Sequence, residues 1–337
     1  MATTIKDIAR IAGVSPSTVS RILSNKKTLS SGYAPETISK INQIAKDLNY
    51  RKNRSAIELV TKTSQVLGII LPASPTNFAQ EIIAGIQKVA SLHDIDVIIA
   101  YAGEDSELLQ MQALKTISER SVRGILLLGI TLSATNAQFL RASDIPYIFL
   151  SVAQPEPDLP FIASNDFDIG YQATNYLIMH GHREIAFVGA DIPSCVGQLR
   201  LDGYRQALKD HQIAYRADYV IPGNWLYEDG IQAMNMLEKL PHLTAVVAGS
   251  DLVAAGVINR ARQLHHHIPS DLSIIGIDGT ALCDIIYPQL TSIQQSFYEM
   301  GVKGTEQLIR QANITSSYTP ICTKKGGSVA TRNKQNE

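Results

Sequence analysis

The sequence predicts a small all-α helix-turn-helix head followed by a two-lobed α/β body built on parallel sheets. Three observations carry that reading. The first sixty residues hold two short helical patterns on either side of a Gly13-Val14-Ser15 turn, and a third helix follows. From Val66 onward, buried-strand runs alternate with amphipathic helical stretches. Charge is divided along the chain: residues 1–62 carry eleven Lys and Arg against four acids, a net of +7, while the rest carries 19 against 27, a net of −8. A basic head on an acidic body is the electrostatic footprint of nucleic-acid binding.

The head is legible residue by residue. Thr4 and Asp7 fit a capping box that opens the first helix. Ile5, Ile8, Ala9 and Ala12 recur at helical spacing on one face. Gly13 can take the positive φ that ends a helix. Ser15 can cap the second helix, with Pro16 at its first position, where a missing N–H costs nothing. Val19, Ile22 and Leu23 then face inward, leaving Ser17, Thr18, Ser20 and Arg21 outward. A hydroxyl-rich face with one Arg suits the major groove. Pro35 and Glu36 start a third helix carried by Thr37, Ile38, Ile41, Ile44, Ala45 and Leu48. Residues 51–62 are too few to hold a helix alone in water.

The run Ile5-Lys6-Asp7-Ile8-Ala9, the stretch from Gly13 to Arg21, and Leu48-Asn49-Tyr50 make this head resemble the lactose/galactose repressor family of bacterial transcription regulators. The similarity extends to about residue 330, and the loop from Asn25 is most like maltose- or β-galactoside-type members. The resemblance implies that Pro16, Ser17 and Arg21 read base edges and that Ser15, Thr18 and Ser20 hold phosphates. It places Thr4, Asn25, Tyr50, Asn53 and Arg54 in the same DNA-binding set. It also implies that residues 51–62 fold on the operator as a hinge helix, with Leu59 wedged into the minor groove beside the small Ala56. Packing of Leu59 on the body is the other reading. Two features depart from the family: the loop from Asn25 to Tyr33 is longer, and Lys52 stands where Pro is usual.

In the body, strand runs are expected at 66–71, 97–100, 124–128, 147–150, 185–188, 245–248 and 272–276, with helices such as 78–92, 105–120, 168–180, 197–210, 228–240, 251–264 and 297–312. The alternation breaks near 161–165 and 291–295, which suits strands crossing between two similar lobes. The resemblance implies a periplasmic-binding-protein-like fold. The expected organisation is a head at 1–50, a hinge at 51–62, an effector-binding and dimerisation domain at 63–330 and a polar tail at 331–337. Within the domain, the N-lobe takes about 63–161 plus 293–320, and the C-lobe about 162–292 plus 321–330.

Ligands of open α/β sheets sit beyond the carboxyl ends of strands, here between the lobes. Arg200 and Asp278 are the bidentate cation and carboxylate that fix vicinal hydroxyls. Trp225, the single Trp, and Phe297 offer rings to the apolar face of a sugar. From the residues alone, an ion pair for Arg200, a helix cap for Asp278 and core packing for Trp225 stay open. The resemblance adds Ala73, Ser74, Ser151, Ser250, Asp251 and Gln295 to the effector pocket. Ser151 stands where an acid is common, and Ser250 where Asn is common.

Other classes find little support. With 337 residues, 45% hydrophobic and 18% charged, the chain suits two or three globular domains. No apolar run reaches the roughly 18–20 residues of a membrane span. The N-terminus has no secretory h-region, so a cytoplasmic, nucleoid-associated location is expected. Cys195, Cys283 and Cys322 are unpatterned thiols, and the consecutive His265, His266 and His267 cannot share one helix face. No cofactor and no metal site are expected. No nucleophile–base pair or phosphate-binding motif is visible, so the chain is not read as an enzyme. The polar tail lacks leucine heptads, so a homodimer is expected. The function implied is a sequence-specific DNA-binding repressor of a sugar-utilisation operon, acting on a double-stranded pseudo-palindrome and controlled by a small sugar between the lobes. The alternative is a catabolite-control regulator whose corepressor is a phosphorylated carrier protein, which asks for an exposed basic patch on the body.

Overall fold

The computed structural model describes residues 3–23, 32–50, 64–73, 78–103, 106–156, 158–240, 242–310 and 313–332. The chain forms two compact units, Met1–Thr63 and Ser64–Glu337.

In the first unit, helices α1 (Ile5–Ala12), α2 (Pro16–Leu23) and α3 (Pro35–Asp47) enclose a small core of Ile8, Ala9, Ala12, Val19, Ile22 and Ile41. The capping box at α1 is formed in both directions. The Asp7 amide donates to Thr4 Oγ1 at 3.3 Å, and the Thr4 amide donates to Asp7 Oδ2 at 3.0 Å. Thr4 Oγ1 also donates to Asp7 Oδ2, at 2.7 Å, and the two bonds to the carboxylate, from the Thr4 hydroxyl and amide, hold the Asp7 carboxyl below its ordinary value. Gly13 then takes φ 74° and donates its amide to the Ala9 carbonyl at 3.0 Å, a geometry that a side chain would strain. The turn lets α2 fold back across α1.

The second unit holds, among the described residues, two six-stranded sheets. The first combines β1 (Val66–Pro72), β2 (Asp96–Ala102), β3 (Gly124–Leu128), β4 (Tyr147–Leu150), β5 (Phe161–Ala163) and β11 (Ser317–Tyr318), in the order β11-β5-β4-β3-β1-β2. The second combines β6 (Ile185–Val188), β7 (Val220–Ile221), β8 (Ala245–Ala248), β9 (Ser273–Asp278), β10 (Thr291–Gln295) and β12 (Ile321–Lys324), in the order β12-β10-β9-β8-β6-β7. Neighbours run parallel except β10 with β12. This is the two-lobed parallel α/β body that the alternation predicts. Between strands in chain order run α4 (Ala79–Leu92), α5 (Glu107–Ser118), α6 (Ala134–Ala142), α7 (Asp166–Met179), α8 (Cys195–Asp210), α9 (Tyr227–Leu237), α10 (Asp251–Gln263), α11 (Leu282–Ile285) and α12 (Phe297–Arg310). Two hydrophobic clusters fill each lobe, one on either face of its sheet, as parallel sheets require.

The chain passes between lobes after β5, after β10 and after β11. These points differ from the expected lobe limits by a few residues. Phe161–Ala163 belongs to the first sheet, although 162 and 163 were expected in the second lobe, and Ile293 and Gln294 pair with β9 in the second sheet, although they were expected in the first lobe. The reason is chemical. Thr291 and Ser292 are polar yet fully buried, because Ser292 Oγ donates to Asp251 and Thr291 Oγ1 accepts from the Gly326 amide. A run of hydroxyl and amide residues with Ile293 as its one apolar member gave no buried-strand signal. The C-terminal segment also belongs to the second lobe further than composition suggested. Ser328 is buried between Ile274 and Thr291, and the Arg332 amide donates to the His180 carbonyl at 2.8 Å.

Candidate functional site

A cavity of about 660 Å³ lies between the two lobes of the body, beyond the carboxyl ends of the strands. Arg200 projects into it from the first turns of α8, because α8 lies unusually close to α7. A Cβ at Gly170 would sit 2.0 Å from the Arg200 carbonyl, so only glycine allows that approach. Arg200 Nε donates to Asp166 Oδ1 at 2.8 Å, Nη1 donates to the Gly249 carbonyl at 2.8 Å, and the guanidinium faces the Trp225 ring at 5.1 Å. The ion pair that the residues alone left open is therefore present, but buried, with both side chains under a tenth exposed. Burial pushes the Asp166 carboxyl above its ordinary value, and the Arg200 guanidinium opposes that shift.

Asp278 ends β9 with φ 116°, which turns it towards the cavity. Gln295 Nε2 donates to its Oδ1 at 2.8 Å. The residue is half-buried, and its carboxyl opens on the cavity. Burial pushes it up to about 8, Arg200 pulls it down, and Asp251 pushes it up again. Asp251 lines the same cavity but spends its carboxylate inward. It accepts from Ser292 Oγ at 2.6 Å, the Thr280 amide at 2.7 Å, Thr280 Oγ1 at 2.9 Å and Cys283 Sγ at 3.3 Å. Its geometry is that of a fastener for the turn after β9, and not of a free ligand group.

Trp225 also has a left-handed backbone, φ 68°, pinned by its amide to the Gly189 carbonyl at 2.9 Å. Ser250 Oγ donates to the Trp225 carbonyl at 2.9 Å and accepts from the Val253 amide at 3.2 Å, capping α10. On the opposite wall, Phe297 stacks on Phe78 with ring centroids 5.1 Å apart, and Ser151 has φ 68° at the end of β4. Ser151, Arg200, Trp225, Ser250, Asp251, Asp278, Gln295 and Phe297 thus line one cavity. Ala73 does not line it, though its neighbour Pro72 does, and Ser74 lies outside the described residues. Phe78, Gln110, Thr131, Asp191, Cys195 and Asn224 line the cavity without having been singled out in the sequence. Thr131, Asp191 and Cys195 follow strands β3 and β6, a position that pointed to them. Asp166 gave no such signal, since it meets Arg200 from 34 residues away. A second concavity, of about 690 Å³, opens at Pro146, Tyr147 and Ile314. Its one acid, Asp158, is already paired with Arg141.

On the head, Pro16, Ser17, Ser20 and Arg21 are exposed along α2, and Thr4 is exposed at the start of α1. Ser15 Oγ accepts from the Thr18 amide at 3.2 Å and shares hydrogen bonds with the hydroxyls of Ser17 and Thr18. Arg21 Nη1 donates to Tyr33 Oη at 3.4 Å, and Tyr50 packs against the head core. Lys6 and Arg10 are exposed on α1 and add to the positive surface, although the sequence reading did not select them. Asn25, Asn53, Arg54, Ala56 and Leu59 lie outside the described residues. Among the described residues, no group of three or more His, Cys, Asp or Glu is placed to hold a metal ion. No helix there is long and apolar enough to cross a membrane.

Comparison with known proteins gives the same two parts. Residues 4–53 match the family described as bacterial regulatory proteins, lacI family. Residues 64–321 match periplasmic binding proteins and sugar binding domain of LacI family. Catabolite control protein A of Priestia megaterium is 29% identical over 315 residues, covering 93% of each chain. The ribose operon repressor of Haemophilus influenzae is 31% identical over 309 residues, covering 91% of each. Among solved structures, a transcription regulator from Lactobacillus plantarum is 41% identical with a TM-score of 0.73, covering 79% of this chain and 100% of that one. The lac repressor dimer bound to operator and the anti-inducer ONPF is 25% identical with a TM-score of 0.86, covering 98% of this chain and 100% of that one.

Proposed function

The chain belongs to the lacI family of bacterial regulatory proteins, and from that premise we propose that it is the sugar-controlled repressor of a sugar-utilisation operon. It is a DNA-binding transcriptional regulator, and it works as a homodimer on double-stranded operator DNA. One observation carries the sugar reading. A cavity between the lobes gathers a carboxylate, an amide, a guanidinium and two aromatic surfaces, which is the donor, acceptor and stacking set of a carbohydrate site. Pro16, Ser17 and Arg21 would read base edges, while Ser15, Thr18 and Ser20 would hold phosphates. Asn53, Arg54, Ala56 and Leu59 would form the hinge contact in the minor groove. The protein acts in the cytoplasm, where its operator lies, and performs no catalysis.

A phosphorylated carrier protein as corepressor would need free surface cations. The body is acidic instead, with a net charge of −8 over residues 63–337, which favours the sugar. The test is selection of bound sites from a pool of randomised duplexes by the full-length protein. The expected product is a pseudo-palindrome with two equivalent half-sites. Recovery of a single asymmetric half-site would refute the dimeric reader.

A further inference from the structure

We propose that the effector is an uncharged sugar and that the cavity rejects phosphorylated sugars and sugar acids; this rests on the sugar reading above. Among the described residues that line the cavity, Arg200 is the one cation, against the acids Asp191, Asp251 and Asp278. Arg200 is held in an ion pair. Two of its nitrogens donate to Asp166 and to the Gly249 carbonyl, and its face lies on Trp225. Its charge is cancelled by Asp166, which is itself buried.

Helix N-termini are the other common anion sites, through their unpaired amides and positive dipole ends. Here those starts are acidic. α7 begins with Asp166, α10 begins with Asp251, and Asp191 stands three residues before Ser194, whose Oγ caps α8 by accepting from the Gly197 amide at 3.0 Å. A phosphate or carboxylate entering the cavity would meet Asp278 and Asp191, and the one guanidinium there already shares its charge with Asp166. A buried charge without a partner is strongly disfavoured.

A neutral sugar meets no such obstacle. Its hydroxyls donate to Asp278 and accept from Gln295, and its C–H faces lie on Trp225 and Phe297. Asp278 suits hydroxyls in either protonation state, because a carboxylate accepts and a protonated carboxyl both accepts and donates. An added anion would also press on the already raised Asp278, whereas a hydroxyl would not.

The test uses the full-length protein and its one tryptophan, which lines the cavity. Fluorescence titrations compare glucose, galactose, cellobiose, maltose and lactose with glucose 6-phosphate, galactose 6-phosphate and glucuronate. Calorimetric titration of the same set repeats the comparison without an optical reporter. The expected result is that a neutral sugar binds at least about a hundredfold more tightly than any anionic one. In the Asp278→Asn variant the neutral sugar should weaken and that ratio should narrow. An anionic sugar binding as tightly as the best neutral one would overturn the proposal while leaving the sugar reading intact. Silence towards both sets, from protein that still binds its selected DNA, would overturn the sugar reading and the proposal with it.

Discussion

Asp251 accepts four donors inside the protein, whereas Asp278 faces the cavity with Gln295 as its hydrogen-bond partner. The two carboxyls therefore answer differently to substitution. Unfolded Asp278 titrates near 3.8 and the folded group near about 8. Between those values the native chain holds a proton that the unfolded chain has released. Stability must fall as pH rises through that window, and the full deficit is present above it. Asp278→Asn removes the deficit. Its melting temperature should exceed that of the parent by several degrees at neutral pH, at about 2–4 °C per kcal/mol for a domain of this size. The gain should grow from about pH 4 to about pH 8 and then level off, while effector binding weakens. Calorimetric scans across pH check this, and a gain independent of pH would refute the buried-acid account. Arg200→Ala does the reverse. It strands Asp166 in the interior and should cost about 3–5 kcal/mol in urea denaturation, part of which Asp166→Asn in the same chain restores. Arg200 and Asp278 were legible in the sequence because they follow strand ends, where such sheets bind ligands, and Trp225 because it is the single Trp. That Arg200 is anchored by Asp166, and that Asp251 turns inward, depends on side-chain partners brought together by long-range folding, which no local pattern records.

At the scale of elements, the head is built from local signals, and local signals are what a sequence shows best. Thr4 with Asp7, Gly13, Ser15 with Pro16, and Pro35 each mark a helix end by chemistry confined to one turn. Gly13→Val should strain the left-handed turn by about 1 kcal/mol or more and weaken operator binding. Because the body is a separate compact unit, sugar binding measured at Trp225 should be unchanged. A parallel loss of sugar binding would contradict the separation. The long central strands of both sheets were equally plain, being continuous apolar runs. The two-residue β7 and β11, the polar β10 and the edge strand β12 were not, because their pairing is set by the neighbouring strand and not by their own periodicity. The same cause moved the lobe limits.

For the whole molecule, the division of charge sets the behaviour towards DNA. Eleven cations against four acids in residues 1–62 should make operator affinity fall steeply with salt, by a log–log slope of about −0.9 for each phosphate neutralised. A slope near zero would contradict electrostatic binding by the head. The acidic body gives the complementary expectation, that binding energy for DNA resides in the head while control resides in the cavity.

Control requires the sugar to bind the two conformations of the dimer unequally. Coupling of this kind is typically about 1–3 kcal/mol, a change in affinity of about 5- to 150-fold. The most direct measurement is fluorescence anisotropy of the labelled, selected pseudo-palindrome with the full-length protein, taken with and without the sugar that perturbs Trp225. Saturating sugar is expected to weaken operator binding within that range, and Arg200→Ala to abolish the effect. Operator affinity that stays the same while the cavity is fully occupied would contradict it.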